Sequence, residues 1–526
     1  MDNVCFVPCA TWIKRGICKQ KPDKVELTKE DLAQIIEETR GKLKDVQMEQ
    51  NMDDGDEDGD EDGGNDANEE VQDTVKTQGG DVYDMEHYDD EEDEGDQNVL
   101  ALGQMAEFAS NTDDPYVTQA DADGSDSEAE DLEVKPDENL IVTGLVDGDA
   151  STLVFHVFNE DEGSMYVHHD ILLSSFPICV EWLNYDPEQA TPGNLVAVGS
   201  MSPVIEVWDV DVINCFEPAF KLGKKGKKKS KLGLGHTDAV LSLAWNRHVG
   251  HVMASGSADH SVLLWDLETR KKASALQCKE KVQTVSWHPA EMDRLLSADC
   301  AGDLRVWECR SEQSKRWRLS GEVECAAWDH FSPTGALACT DDGQLHYVDT
   351  RADKKPLWSV QAHEDSCSCL ALSPEVPGCL VTVSADKTLK VWDVSSGRPP
   401  APVVSRPMKL GALHCVAFCP DLPWMLCVGG DNKENSFQLW DVRQSAEVRQ
   451  QFGGRPLRRV LPEPDEGLPA ADGPGAVTAA METDSTVEQL SGMSLSASAG
   501  PSGAGPLRTA AGKKLKKRHK ARGAGK

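Results

Sequence analysis

Trp-Asp pairs recur along the chain at Trp208-Asp209, Trp265-Asp266, Trp392-Asp393 and Trp440-Asp441. The altered pairs Trp307-Glu308, Val348-Asp349 and Phe158-Asn159 continue the series, and the steps between the seven positions are 50, 57, 42, 41, 44 and 48 residues. Repetition at this period leaves few folds open. Each unit is too short to bury its own apolar face and must stack against its neighbours.

A second series runs in step with the first. Trp182 (CVEWLN), Trp245 (SLAWNR), Trp287 (TVSWHP) and Trp328 (CAAWDH) each end an apolar alternation of the kind a half-buried strand requires. Leu372 (CLALSP) and Phe418 (CVAFCP) take the same place further on. The distance from this position to the Trp-Asp position is 20 residues in the units of Trp245, Trp287, Trp328 and Leu372, 26 in that of Trp182 and 22 in that of Phe418. Two series locked at one offset predict an all-β fold, a single β-propeller of four-stranded blades.

The same register reaches the N-terminus. PCATWIKRG at 8–16 has the pattern of ICVEWLN at 178–184, which makes Trp12 the inner-strand residue of the blade that contains Phe158. Residues 1–20 then complete blade one, 139–452 carry the propeller, and the stretch between is inserted inside the first blade. Closing so long a loop is tolerable, since each doubling of length costs only about 0.6 kcal/mol. Seven blades are expected; the alternative is a six-bladed ring with a free N-terminal arm.

Two blades carry a polar set, His236, Ser255, Asp259 and Trp265 in one and His363, Thr382, Asp386 and Trp392 in the other. A buried indole N–H needs an acceptor, and an oriented His–Asp pair can fix a chain of donors behind it. A His/Ser/Asp triplet invites a hydrolytic reading, but its repetition at a fixed offset from Trp-Asp argues a structural tie. The blades of Val348 and Phe158 lack parts of the set and should depend more on packing.

Other chemical motifs fail. Cys415, Cys419 and Cys427 cluster, and Cys367 and Cys369 form a CxC, but four residues along a strand span about 13 Å, too far for Cys415 and Cys419 to share a metal. Neither group has zinc-ligand spacing, and small buried thiols facing a core are the better reading. There is no GxxxxGK[ST], GxSxG or HExxH. The expectation is a non-enzyme without metal or cofactor. Sixteen unpaired cysteines in a chain of 526 residues exclude a secreted disulfide scaffold. The N-terminus lacks the apolar core of a secretory signal, and no stretch approaches the roughly 18 apolar residues of a membrane span.

Charge is concentrated at the ends. Of the formal net charge of −38, the window 45–138 contributes −34, from 36 Asp/Glu against two lysines. Nearly devoid of aliphatic residues, 48–138 should be disordered. It reads as a solvating spacer, or as a nucleic-acid mimic that attracts basic proteins. Ahead of it, 25–47 is expected as a helix capped by Thr28, with Leu32, Ile35, Ile36, Leu43 and Val46 at helical spacing. That helix would dock on the propeller or bind a partner. Ser125 and Ser127 precede acids and suit an acidophilic kinase, Ser485 less so. The segment 453–526 is of low complexity and should be disordered. It ends in a basic run, Lys513, Lys514, Lys516, Lys517, Arg518 and Lys520, which with the run at 221–231 reads as a nuclear import or nucleolar retention signal.

The paired tryptophan series, the N-terminal Trp strand, the acidic insertion and the basic tail together resemble the periodic tryptophan protein 1 family of WD-repeat proteins. The resemblance implies a nuclear, nucleolar and chromatin-associated scaffold that supports rRNA transcription and ribosome biogenesis. It implies as partners histones, ribosomal proteins and transcription or assembly factors, with chromatin contact direct or indirect, no membrane contact, and a monomer within larger complexes. A second reading is a substrate receptor of a cullin-type ubiquitin ligase, from the WDxR sequence Trp440-Asp441-Val442-Arg443.

Overall fold

The N-terminal strand β1 (Cys5–Ile13) pairs antiparallel with β3 (Asn139–Asp147), setting Trp12 opposite Ile141 across 128 intervening positions of chain that include the two-residue β2 (Asp23–Lys24). With β4 (Ala150–Asn159) and β5 (Ser164–Leu172) these complete blade one in the order β1-β3-β4-β5. The long β3–β4 ladder is rich in Val, Ile, Leu and Phe, residues that fit a pleated surface buried on both sides. Trp12 is 4% exposed, so the free-arm alternative fails.

This computed structural model describes residues 5–25, 132–188, 192–224, 234–352 and 354–459. The chain divides into two units, Met1–Lys24 with Leu132–Lys526, and Val25–Asp131. Apart from Val25, the second unit lies outside the described residues, and with it the expected helix and acidic insertion.

Blade two is β6 (Pro177–Leu183), β7 (Leu195–Ser200), β8 (Ile205–Asp209) and β10 (Phe220–Leu222), while β9 (Val212–Ile213) pairs parallel with β2. Blade three is β11 (Val240–Trp245), β12 (Val252–Ser257), β13 (Ser261–Asp266) and β14 (Lys271–Gln277); blade four is β15 (Val282–Trp287), β16 (Arg294–Asp299), β17 (Asp303–Glu308) and β18 (Gln313–Arg318). Blade five is β19 (Val323–Trp328), β20 (Gly335–Thr340), β21 (Gln344–Asp349) and β22 (Trp358–Gln361); blade six is β23 (Cys369–Leu372), β24 (Cys379–Val383), β25 (Thr388–Asp393) and β26 (Pro402–Pro407). Among the described residues blade seven has three strands, β27 (Leu413–Phe418), β28 (Met425–Gly430) and β29 (Phe437–Asp441).

Because successive strands are antiparallel, the turns joining first to second and third to fourth strands lie on one face of the disc, and the remaining connections lie on the other. The apolar clusters form largely between adjacent blades. One joins Trp12, Ile141 and Phe158 of blade one to Cys419 and Cys427 of blade seven, closing the ring.

Two boundaries differ from the sequence reading. The propeller resumes at Leu132 rather than 139. Val134 and Glu138 are buried, Val134 N–H donates to Gln20, and Glu138 accepts from Lys135 N–H (2.9 Å) and Asn159 Nδ2 (3.2 Å). At the other end α1 (Ala446–Phe452), capped by Ser445, buries Val448 and Phe452 against blades six and seven. Residues 453–459, expected within the tail, are held to blade six by charge: Arg455 on Asp393 (3.0 Å) and Arg459 on Glu375 (2.9 Å).

Candidate functional site

Each inner strand runs down the central channel, and three residues before its Trp12, Trp182, Trp245, Trp287, Trp328, Leu372 or Phe418 stands a small hydrogen-bonding residue in every blade. In chain order these are Cys9, Cys179, Ser242, Thr284, Cys325, Cys369 and Cys415. Six of them sit just past an irregularity in the pairing of first and second strands, which turns the side chain toward the next blade. Cys179 Sγ donates to Val240 O (3.8 Å), Thr284 Oγ1 to Ala326 O (3.4 Å), Cys325 Sγ to Leu370 O (4.0 Å), Cys369 Sγ to Val416 O (3.9 Å) and Cys415 Sγ to Val7 O (3.6 Å). Ser242 Oγ accepts from Val285 N–H at 3.1 Å. The bonds therefore pass from each of blades two to six to its successor and, through Cys415, from blade seven back to blade one. Glycines on the second strand make room: a Cβ at Gly199 would stand 2.5 Å from Cys179 Sγ, and one at Gly429 2.6 Å from Cys415 Sγ. All sixteen cysteines are free thiols. Burial pushes Cys9 up to about 12 and Cys179 and Cys415 well above the usual thiol range, so these groups stay protonated.

The tryptophans of the inner series bind in the reverse direction. Trp287 Nε1 donates to Ala244 O (3.1 Å), Trp328 Nε1 to Ser286 O (3.0 Å) and Trp12 Nε1 to Ala417 O (3.0 Å), each in the preceding blade. Trp182 and Trp245 instead stay within their own blades, on Asn194 Oδ1 (3.0 Å) and Gly250 O (2.7 Å).

The two predicted polar sets are assembled. Trp265 Nε1 donates to Ser255 Oγ (2.7 Å), which lies 2.7 Å from His236 Nε2, and His236 Nδ1 lies 3.0 Å from Asp259 Oδ2. Trp392, Thr382, His363 and Asp386 repeat this at 2.9, 2.8 and 2.9 Å. The geometry assigns one direction, indole to hydroxyl to imidazole to carboxylate. Burial alone would raise the Asp259 carboxyl, but bonds from His236, Ser261 and Thr237 hold it well below the usual range. Ser255 and Thr382 are fully buried beneath the indoles, out of reach of a substrate.

Sequence reasoning missed a third, partial set. Trp307 Nε1 donates to Ser297 Oγ (2.8 Å), with Cys278 at the offset that His236 and His363 occupy. Trp208 and Trp440 have lost the acceptor, since Val198 and Val428 stand where the others have Ser or Thr, and both indole N–H groups are buried without a partner. In the WDxR sequence Arg443 Nη2 binds Asp441 Oδ2 at 2.8 Å. Arg351 and Asp349 form the same pair at 2.8 Å in blade five, which has no tryptophan there, so the pattern is a brace within a turn.

At the turn-bearing face joining first and second strands, a cavity of about 260 Å³ opens between blades two and five. Trp245, Trp287 and Trp328 wall it, Glu181 lies in it and Arg247 stands at its rim. Glu181 accepts from Trp245 N–H (3.2 Å); burial raises its carboxyl to about 7 against the opposing pull of Arg247. His248, His288 and His330 around this mouth have Nε2 2.9 Å from carbonyls of the following blade, Pro289, Pro333 and Ser373. Among the described residues no three His, Cys, Asp or Glu converge as metal ligands. Ser125, Ser127, Ser485, most of the run at 221–231 and the basic residues from Lys513 to Lys520 lie outside the described residues.

Residues 227–266 and 354–393 match the family described as WD domain, G-beta repeat. Periodic tryptophan protein 1 homolog of Drosophila melanogaster is 36% identical over 460 residues, covering 86% of this chain and 97% of that protein. Periodic tryptophan protein 1 of Saccharomyces cerevisiae is 28% identical, covering 85% of this chain and 90% of its own. A shorter similarity, 27% over 168 residues, links 31% of this chain to 36% of a ribosome biogenesis protein WDR12 homolog of Caenorhabditis briggsae.

Proposed function

Because the chain belongs to the periodic tryptophan protein 1 family of WD-repeat proteins, we propose that it acts in ribosome biogenesis as a non-enzymatic nuclear scaffold. Its closed disc gathers protein partners on its rim and faces, while the acidic insertion receives basic proteins such as ribosomal proteins and histones. Support for rRNA transcription, nucleolar residence and association with chromatin belong to the same reading. The observation that carries it is the 36% identity to a periodic tryptophan protein 1 homolog over nearly all of both chains. The buried polar sets favour the scaffold over a hydrolase, since each serine or threonine hydroxyl is spent on an indole and an imidazole.

Crosslinking mass spectrometry on the full chain recovered from native nuclear complexes tests this reading. Ribosomal proteins and assembly factors should crosslink to the chain, with Lys-rich segments meeting residues 48–138. Recovery of the chain without any pre-ribosomal protein would remove the basis of the reading.

A further inference from the structure

Among the described residues six blades have four strands and blade seven has three, ending at β29. After Asp441 the chain turns into the 3-10 helix Val442–Gln444 and α1 instead of folding back along β29. Among the described residues the only strand paired with β29 is β28, so one backbone edge from Phe437 to Asp441 is open. An open edge is a template for another strand unless something blocks it.

The two flanks of this edge differ in chemistry. On the blade-one side, Phe437 stacks on His156 (5.2 Å between ring centres), and Phe437 and Leu439 join the cluster of Trp12 and Phe158. His156 pairs with Val167 and Phe158 with Met165, and cross-strand partners share a face, so Met165 and Val167 of β5 also face blade seven. They are 39% and 56% exposed, apolar side chains standing where a fourth strand of blade seven would cover them. On the blade-six side, Trp440 carries the Arg406 guanidinium over its ring at 4.9 Å. Arg406 has no ion-pair partner among the described residues.

We propose that the open edge of β29 is a docking site for an extended segment of a partner protein, which adds as the fourth strand of blade seven. Side chains alternate across an added strand, so the segment has apolar residues toward Met165 and Val167, alternating with acidic residues toward Arg406. Backbone hydrogen bonds would supply the affinity, and the two unlike flanks would set the sequence preference and register. The site goes beyond the scaffold reading and holds whatever process the protein serves.

Hydrogen exchange on the full chain tests this directly, with a capped ten-residue peptide of alternating valine and glutamate as the probe. In the free protein the outward amides of residues 437–441 should exchange fast. Saturating peptide should slow them by about tenfold or more while the six complete blades are unchanged. A photoreactive residue replacing Val167 should crosslink to the peptide. The surface variants Val167→Asp and Arg406→Glu, checked for an unchanged melting temperature, should each weaken binding about tenfold. Arg406→Glu should in turn prefer a valine–lysine peptide. Exchange that is unaffected by the peptide, or binding that ignores both variants, overturns the proposal. So do amides already protected in the free chain, whether the crosslink leads to residues 26–131, to 460–526 or to a second copy.

Discussion

Trp12 donates its indole N–H to the carbonyl of Ala417, 405 residues away, at 3.0 Å. Ala417 immediately precedes Phe418, just as Ala244 precedes Trp245 and Ser286 precedes Trp287, the acceptors of Trp287 and Trp328. The first strand of the chain thus joins the last blade by the same bond that joins blade four to blade three and blade five to blade four. Closure is part of the repeat.

Truncation of Trp12 should therefore cost as much as truncation within the ring. Trp12→Ala and Trp287→Ala are each expected to lose roughly 3–5 kcal/mol in urea denaturation. An unchanged midpoint for Trp12→Ala would mean that the N-terminal strand contributes nothing to closure.

The lost acceptors beneath Trp208 and Trp440 make opposite substitutions informative. Thr382→Val should cost about 1–3 kcal/mol, because it strands the N–H of Trp392 and one nitrogen of His363. Val198→Thr offers the orphaned Trp208 N–H an oxygen at the matching register position, and should be neutral or stabilising by up to about 1 kcal/mol. Thermal melts of the two variants check the pair. Equal losses would place the indole tie outside the stability of the fold.

What the sequence made legible was set by large side chains with one requirement each. A tryptophan at the end of an inner strand has a big ring to bury and an N–H to satisfy, so it recurs visibly and Trp12 could be placed with the others. The ring of Cys9, Cys179, Ser242, Thr284, Cys325, Cys369 and Cys415 was not legible, although its spacing is just as regular. The site asks only for a small side chain with a donor or acceptor, and thiol and hydroxyl both qualify, so the letters change while the role does not. In the same way Cys278 conceals the third polar set. That blade seven has only three strands among the described residues left no mark, because β29 ends in the same Trp-Asp as a four-stranded blade. The ordering of 453–459 was hidden as well, since arginines in a Gly- and Pro-rich stretch read as tail until Asp393 and Glu375 are brought beside them.

Two partly buried groups should tilt stability with pH in opposite senses. Burial raises Glu181 from 4.5 to about 7, so its contribution is fully present below pH 4.5 and is lost as pH rises through 7. Burial lowers His156 from 6.5 to about 4, so its contribution is present above pH 6.5 and is lost as pH falls through 4. Glu181→Gln should flatten the decline between pH 4.5 and 7, and His156→Phe the rise between 4 and 6.5. Denaturation midpoints across that range measure both. A curve for Glu181→Gln parallel to that of the parent would show that the carboxyl titrates normally.

In blades one, two and seven the inner ring depends on a glycine opposite the thiol, Gly144, Gly199 and Gly429. At Gly429 an added Cβ would meet Cys415 Sγ at 2.6 Å and Val7 O at 2.7 Å, and Val7 belongs to the strand that closes the disc. Gly429→Ala should therefore cost roughly 1–3 kcal/mol by overpacking. Cys415→Ser should cost less than about 1 kcal/mol, since a hydroxyl keeps the bond to Val7 O and Ser242 already fills this place in blade three. Combining Gly429→Ala with Cys415→Ala should recover only part of the loss, because the sulfur is removed while the carbonyl of Val7 remains. A double-mutant cycle reads that coupling directly. Full additivity would mean that thiol and glycine do not share the space, and that the seam between blades seven and one packs differently from the other six.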